Sequence, residues 1–488
     1  MSRNFAKCAL ALGLFAFFSS VGGAQSEGAA DKFEIVRIPD DPYPSTYKPV
    51  PSPPLLVRGA TIYDGKGGAF TATDVLVVDG RVAKIGQHLA APQGAAIIEA
   101  AGRFVTPGII DIHSHLGVYP SPGLASTSDG NEATRPATPD VWAEHSVWPQ
   151  DPGFSRALAG GVTALQILPG SANLFGGRSV VLKNVSSRTV QGMKFPGAPY
   201  GLKMACGENP KRVYENSGPS TRMGNMAGYR EEWIKAEKYR KDWDDYWTKA
   251  EAYKSKLARG AVTPGDKDAE PPKPPERDLA LDTLADVLRG KIRVQMHCYR
   301  ADEMAQVLDM AREFNYHVAA FHHAVEAYKI ADLLAREHVC AAMWADWWGF
   351  KLEAWDGVQE NIALVHNAGA CATIHSDSEV GVQRLNQEVA KALANGRLAG
   401  NEISDAQAWE WLSLNPAKAL GIDKETGSLE PGKAADLVVW SRDPFSVYAR
   451  ADRVYIDGVL TYDRADPKYQ PVSDFELGSP LAPRGAHK

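Results

Sequence analysis

The sequence predicts an α/β protein: a (β/α)8 TIM-like barrel with a small β-sandwich domain formed from both ends of the chain. Three observations lead there. Across residues 105–421, apolar strand-like runs alternate with helical stretches. Short β-rich runs broken by Gly and Asp-Gly turns precede that stretch, and the same texture returns after it. No glycine-rich phosphate loop follows an early strand, which leaves a dinucleotide-binding fold without support.

At 488 residues the chain is long enough for a large domain and a companion. Residues 1–24 read as a signal peptide. Arg3 and Lys7 give the positive start, Cys8 to Val21 the apolar stretch, and Gly22-Gly23-Ala24 the small-residue cleavage site. The expected location is therefore periplasmic or secreted. The apolar run is short for a membrane anchor, and no second segment approaches spanning length. Formal net charge is −6, and cleavage after Ala24 makes it more negative. No basic stripe points to nucleic acid or an anionic membrane surface. Cys206, Cys298, Cys340 and Cys371 sit in or beside apolar runs with no CxxC pair, which reads as buried free thiols rather than a disulfide framework.

Residues 25–54 are polar and proline-rich, suiting an extended arm. Residues 55–104 and 422–470 carry the β texture of the composite sandwich, and 471–488 remain as a tail. In the barrel, GVTALQIL, YGLKMAC, KIRVQMHC, HVAAFHH, HVCAAMW and ACATIHSD read as strands. Between two of them, Met304, Val307, Leu308, Ala311 and Phe314 keep helical spacing. An insertion at about 215–285 holds a charged helix or helical pair with Trp233, Trp243 and Trp247, then a proline-rich linker. Its aromatics read as packing onto the barrel; the sharper alternative is a lid or a homo-oligomer contact over the mouth of the barrel.

Candidate chemistry collects at strand ends. His113 and His115 are two apart on a strand, so both imidazoles face one side. An HxH pair alone could be two core histidines. His297, the pair His322-His323 and Asp377 close three further strands, and barrel sites sit at such C-terminal ends. Imidazole nitrogens and carboxylate oxygens are donors for Zn²⁺ or a similar divalent cation. His375 shares a strand face with Asp377, where it can orient water or substrate or make a structural hydrogen bond.

This pattern resembles the amidohydrolase superfamily over nearly the whole mature chain. VTPGIIDIHSH is similar to its first-strand signature and NPAKALGIDKETGSLEPGKAADLVVW to its C-terminal one. LPGSANLFGGRSVVLKN, MACGENPKRVY and STRMGN are similar to an uncharacterised subgroup near the imidazolonepropionase-like and dipeptidase-like branches. The resemblance implies one or two divalent metals, with His113 and His115 on the first, His297 and His323 on the second, and Asp377 touching metal and moving protons. His323 is preferred to His322 because it stands five residues before Tyr328-Lys329. His322 is then expected to face away as a core or supporting residue. YGLKMACGENPK offers both Glu208 and a carboxylated Lys203 as the bridging ligand, and Glu208 is the favoured one. The implied activity is hydrolysis of an amide, cyclic amide or peptide C–N bond in a small molecule or short peptide, by a metal-bound hydroxide. A heterocycle deaminase is the enzymatic alternative, and a non-catalytic periplasmic binding protein the alternative of another class.

Overall fold

The computed structural model describes residues 33–262 and 270–469; the expected signal peptide and the tail at 471–488 lie outside them. Five strands open the chain: β1 Leu55–Tyr63, β2 Ala69–Val78, β3 Arg81–Gly86, β4 Ala96–Glu99 and β5 Phe104–Pro107. Eight barrel strands follow: β6 Ile109–Ser114, β7 Val162–Ile167, β8 Phe175–Lys183, β9 Gly201–Ala205, β10 Arg293–Cys298, β11 Val318–His323, β12 Cys340–Met343 and β13 Cys371–Ile374. Three more close the order, β14 Leu437–Trp440, β15 Ala451–Ile456 and β16 Val459–Asp463.

The end strands hydrogen-bond into one eight-stranded sheet, β16-β15-β14-β5-β1-β2-β3, with β4 also on β1. That pairing does not divide them into the two layers expected of a sandwich. The reason lies in β1, which pairs β2 on one edge and β4 then β5 on the other, so β14 joins the same sheet through β5. The two chain ends do meet here, as Leu437 to Trp440 against Pro107 to Phe104.

The barrel strands run β6 to β13 in chain order. The first and last are linked by Asp377 N donating to His113 O at 3.0 Å and Ser376 N donating to Asp111 Oδ1 at 3.0 Å. One strand departs from the all-parallel expectation: β8 is antiparallel to both β7 and β9. Residues 168–174 join β7 to β8, too short a link for the crossover that a parallel neighbour requires. The chain must turn back, and LPGSANLFGGRSVVLKN becomes a hairpin. The other connections are longer. Helix α1 (Pro152–Ala159) precedes β7, with Asp151 accepting from Gly153 N at 2.9 Å and Pro152 in the first turn. Helix α2 (Glu208–Val213) follows β9. Then comes α3 (Arg222–Ala258), one continuous 37-residue helix where a helix or a pair was expected. Helix α4 (Leu279–Leu288) precedes β10, and α5 (Ala301–Glu313) joins β10 to β11. The expected apolar face of α5 is buried at Met304, Val307, Leu308 and Ala311.

The expectation of free thiols is wrong. Cys206 is bonded to Cys298 and Cys340 to Cys371. Parallel register explains it: Cys340 pairs directly with Cys371, and Ala205 pairs with His297, which brings the next residues of each strand together. Residues far apart in sequence, with no CxxC spacing, become neighbours in the sheet.

Residues 39–54 of the arm follow the barrel surface, with Asp41 on Lys194 at 3.0 Å and the Tyr47 hydroxyl on Asp457 at 2.7 Å. The first part of α3 lays Trp233 against Phe175 and Tyr316, at 5.3 and 4.6 Å between ring centroids. Among the described residues a second compact unit pairs 33–38 with 242–262 and 270–275. Within it, Trp247 Nε1 donates to Val36 O at 3.0 Å and Val36 N donates to the Tyr246 hydroxyl at 3.0 Å. Among the described residues no helix is long and apolar enough to cross a membrane.

Candidate metal centre

Five parallel strands deliver side chains to one rim. β6 brings His113 and His115, β9 Lys203, β10 His297, β11 His322 and His323, and the end of β13 His375 and Asp377. All but His322 and His375 line a cavity of about 280 Å³, which Ser171, Glu208, Tyr299 and Lys351 also line.

Hydrogen bonds to carbonyls fix the tautomers of the first pair. His115 Nδ1 lies 2.9 Å from Leu168 O, which can only accept, so the proton is on Nδ1 and Nε2 carries a lone pair. His322 Nε2 lies 2.7 Å from Gln295 Oε1 and donates to it. Its Nδ1 is then an acceptor, and His113 Nδ1, 2.9 Å away, donates to that. His113 Nε2 is left with a lone pair. The two bare nitrogens, His113 Nε2 and His115 Nε2, face each other at 3.2 Å. Asp377 Oδ1 lies 3.6 and 3.2 Å from them. Two lone pairs and a carboxylate converging on one point repel one another unless a cation sits among them.

A second group adjoins the first. The His297 and His323 rings are 4.5 Å apart, and the donor atoms of His113, His323 and His375 lie within 4.8 Å of one another. Among the described residues His323 Nδ1 and both nitrogens of His375 are buried with no hydrogen-bond partner, a costly state for groups without a ligand. Burial holds His113, His297, His322 and His323 well below the ordinary imidazole range, and His375 at about 3. All five are neutral, and all but His322, whose two nitrogens are taken by Gln295 and His113, can offer a lone pair. This donor chemistry fits one or two divalent cations of the Zn²⁺ type.

Burial alone would raise the Asp377 carboxyl, but the His115 imidazole 3.2 Å away and the charges around it hold it below the ordinary range. Its backbone is left-handed at φ 46°, as is that of His323 at φ 72°. Each costs about 1–3 kcal/mol and persists where surrounding bonds impose it. Here those bonds are Asp377 N to His113 O and, beside His323, Ala324 N to Cys298 O, each at 3.0 Å.

The two bridging candidates are placed very differently. Lys203 is buried, its Nζ 3.4 Å from His113 Nε2, and burial depresses its ammonium to about 8. Glu208 lines the cavity higher up with its side chain 31% exposed, and its Oε1 lies 3.8 Å from Lys351 Nζ. Its backbone N donates to Glu353 Oε1 at 2.7 Å. His322 is a supporting residue, as expected, but it does not face away: it turns in behind His113, between His113 Nδ1 and Gln295 Oε1. Asp111, Tyr299 and Lys351 went unnoticed in the sequence. Asp111 could have been found, since it precedes His113 by two and shares its strand face; Lys351 lies on a loop without periodicity.

Comparison with known proteins identifies the family. Residues 104–461 match the model of the amidohydrolase family. An amidohydrolase of Thermotoga maritima has a solved structure that is 37% identical, with a TM-score of 0.72, covering 84% of this chain and 100% of that one. The amidohydrolase tasK of Hapsidospora irregularis is 32% identical over 84% of this chain and 43% of its own length. A dihydroorotase of Geobacter sulfurreducens is 31% identical over 28% of this chain and 27% of its own. The chain thus spans less than half the length of these two curated relatives.

Proposed function

The chain belongs to the amidohydrolase family, and from that premise we propose that it hydrolyses a C–N bond of a small amide, cyclic amide or short peptide. The observation that carries this reading is the pair of bare nitrogens, His113 Nε2 and His115 Nε2, 3.2 Å apart beside an ionised Asp377. His113, His115 and Asp377 would hold one divalent cation, and His297 and His323 a second. When bound, such cations polarise a carbonyl and lower the pKa of water towards neutrality. Lys203, if carboxylated at Nζ, would be a ligand to the cations in preference to Glu208, because it is the buried group that reaches His113.

The protein's own residues then divide the work. Asp377 accepts the proton of the attacking water on its carboxylate and returns it to the leaving nitrogen. His322 and Gln295 keep the His113 lone pair aimed inward, and Leu168 O does the same for His115. His375, packed 5.0 Å from the His113 ring, orients water or substrate. Export is part of the reading, supported by two disulfides of the kind that persist in oxidising compartments.

Metal analysis of the mature protein, joined to a screen of dipeptides, N-acyl amino acids and hydantoin-like rings, tests the activity. Turnover that disappears on chelation and returns with Zn²⁺ supports it. A metal-replete protein that releases ammonia from a heterocycle but cleaves no amide would move it to the deaminases.

A further inference from the structure

The cavity above the histidines carries a cation that nothing answers. Arg212 lies on the exposed flank of α2 and lines the cavity. Among the described residues its guanidinium forms no hydrogen bond or ion pair. Lys351 stands close enough for the two positive charges to act on each other. Lys351 is itself incompletely answered: its Nζ lies 3.8 Å from Glu208 Oε1 and 3.5 Å from Glu353 Oε2, long distances for ion pairs. Glu353 is moreover shared, since Arg222 also pairs with it. The Lys351 head also meets two neutral groups, Asn209 Oδ1 at 3.2 Å and the face of the Tyr299 ring at 3.9 Å.

Glu353 and Glu208 thus answer Lys351 only at long range, while Asn209 and Tyr299 hold its head in place. Its side chain is only 14% exposed, so ambient water screens it less than a surface lysine. Asn209, donating from Nδ2 to Ser171 Oγ at 2.8 Å, fixes the wall on which it rests. A planar guanidinium and an immobilised ammonium at one cavity wall match a carboxylate, and the guanidinium can meet it with two parallel hydrogen bonds. Neutral rings and heterocycles would leave the Arg212 guanidinium unanswered.

Resting on the hydrolase reading above, we propose that Arg212 and Lys351 are specificity-determining residues that recognise a free carboxylate on the substrate. The substrate class is then an N-acyl amino acid or a short peptide ending in a carboxylate at the cavity, in preference to a neutral amide.

Matched pairs test this on the metal-replete protein: each N-acetyl-L-amino acid against its N-acetyl-L-amino acid amide. The acid should exceed the amide in kcat/KM by about tenfold to a hundredfold, the usual worth of hydrogen bonds to a charged group. Arg212→Gln should erase most of that ratio through KM, with kcat and metal content nearly unchanged, and Arg212→Lys should restore part of it. An equal or reversed ratio, or one that survives Arg212→Gln, overturns the proposal while the hydrolase reading stands. If no amide is cleaved, that reading fails instead, and calorimetric titration with N-acetyl-L-leucine and N-acetyl-L-leucinamide decides the proposal. Tighter binding of the acid that weakens in Arg212→Gln upholds it, and equal binding of the two overturns it.

Discussion

The two arcs of the barrel solve one problem in different ways. From β9 to β13 every neighbour is parallel, and two disulfides tie strands across that arc, Cys206–Cys298 and Cys340–Cys371. From β6 to β9 the chain reverses once, at β8, and no disulfide is found. The reversal has a chemical consequence. Lys203 ends its strand run at the histidines, while Lys183, at the end of β8, emerges at the opposite rim and pairs with Asp457 at 2.8 Å and Asp436 at 3.5 Å. Strand direction, set by the length of the link before it, decides whether a buried lysine serves the site or the scaffold.

The largest effect should come where the two ends of the barrel sheet meet. Asp377→Asn keeps the size and one oxygen but removes the basic one, so kcat should fall by about 10²–10⁴ while metal content changes little. Measuring both on one sample is decisive: a metal-replete variant with near-normal kcat would remove Asp377 from proton transfer. His113→Ala should lower metal content and activity together, because it removes a donor.

Next comes the contrast between the buried lysine and its exposed rival. Lys203→Ala should bring bound metal below two per chain, since a bridging anion offsets the repulsion of two cations. Glu208→Ala should be milder, as its carboxylate reaches Lys351 rather than the histidines. Metal analysis giving the reverse order would return the bridge to Glu208.

The stapled arc can be unstapled. Replacing Cys340 and Cys371 together by Ala should cost about 2–4 kcal/mol in denaturant unfolding, the typical worth of a disulfide. A loss well under 1 kcal/mol would mean that parallel packing alone holds β12 to β13.

The parallel arc was also the more legible in the sequence. Its strand runs ended in His297, His323 and Asp377, and α5 showed its apolar face, because helices of that length impose both periodicity and direction. The reversed arc was misread as parallel, since direction depends on link length and not on the apolar texture of GVTALQIL or RSVVLKN. The disulfides were missed for a related reason: register, which composition does not encode, brings those cysteines together. The inward turn of His322 depends on partners from other strands, Gln295 and His113. The family signatures at the two ends of the barrel were visible as local strings.

The smallest effect tests how the reversed strand is accommodated. Gly177 lies in β8 directly opposite Lys203, next to an irregularity in register at Phe175, with φ at 109°. A Cβ there would stand 2.4 Å from Val141 O, the carbonyl that accepts from Arg178 N at 2.8 Å. Gly177→Ala thus meets two penalties, an unfavourable backbone angle and a clash with a backbone atom that is already bonded. Gly102 separates them, because its φ of 75° is also positive but a Cβ there meets nothing within 4 Å. Gly102→Ala should cost about 1 kcal/mol, from the backbone angle alone. Gly177→Ala should cost more, roughly 2 kcal/mol, as the strand backs away from Val141. Because that movement is passed to Lys203, it should also lower metal content slightly, whereas Gly102→Ala leaves metal content unchanged. Equal stability losses in the two variants would show that the Val141 carbonyl yields freely, and that the reversed strand needs no glycine beside the lysine.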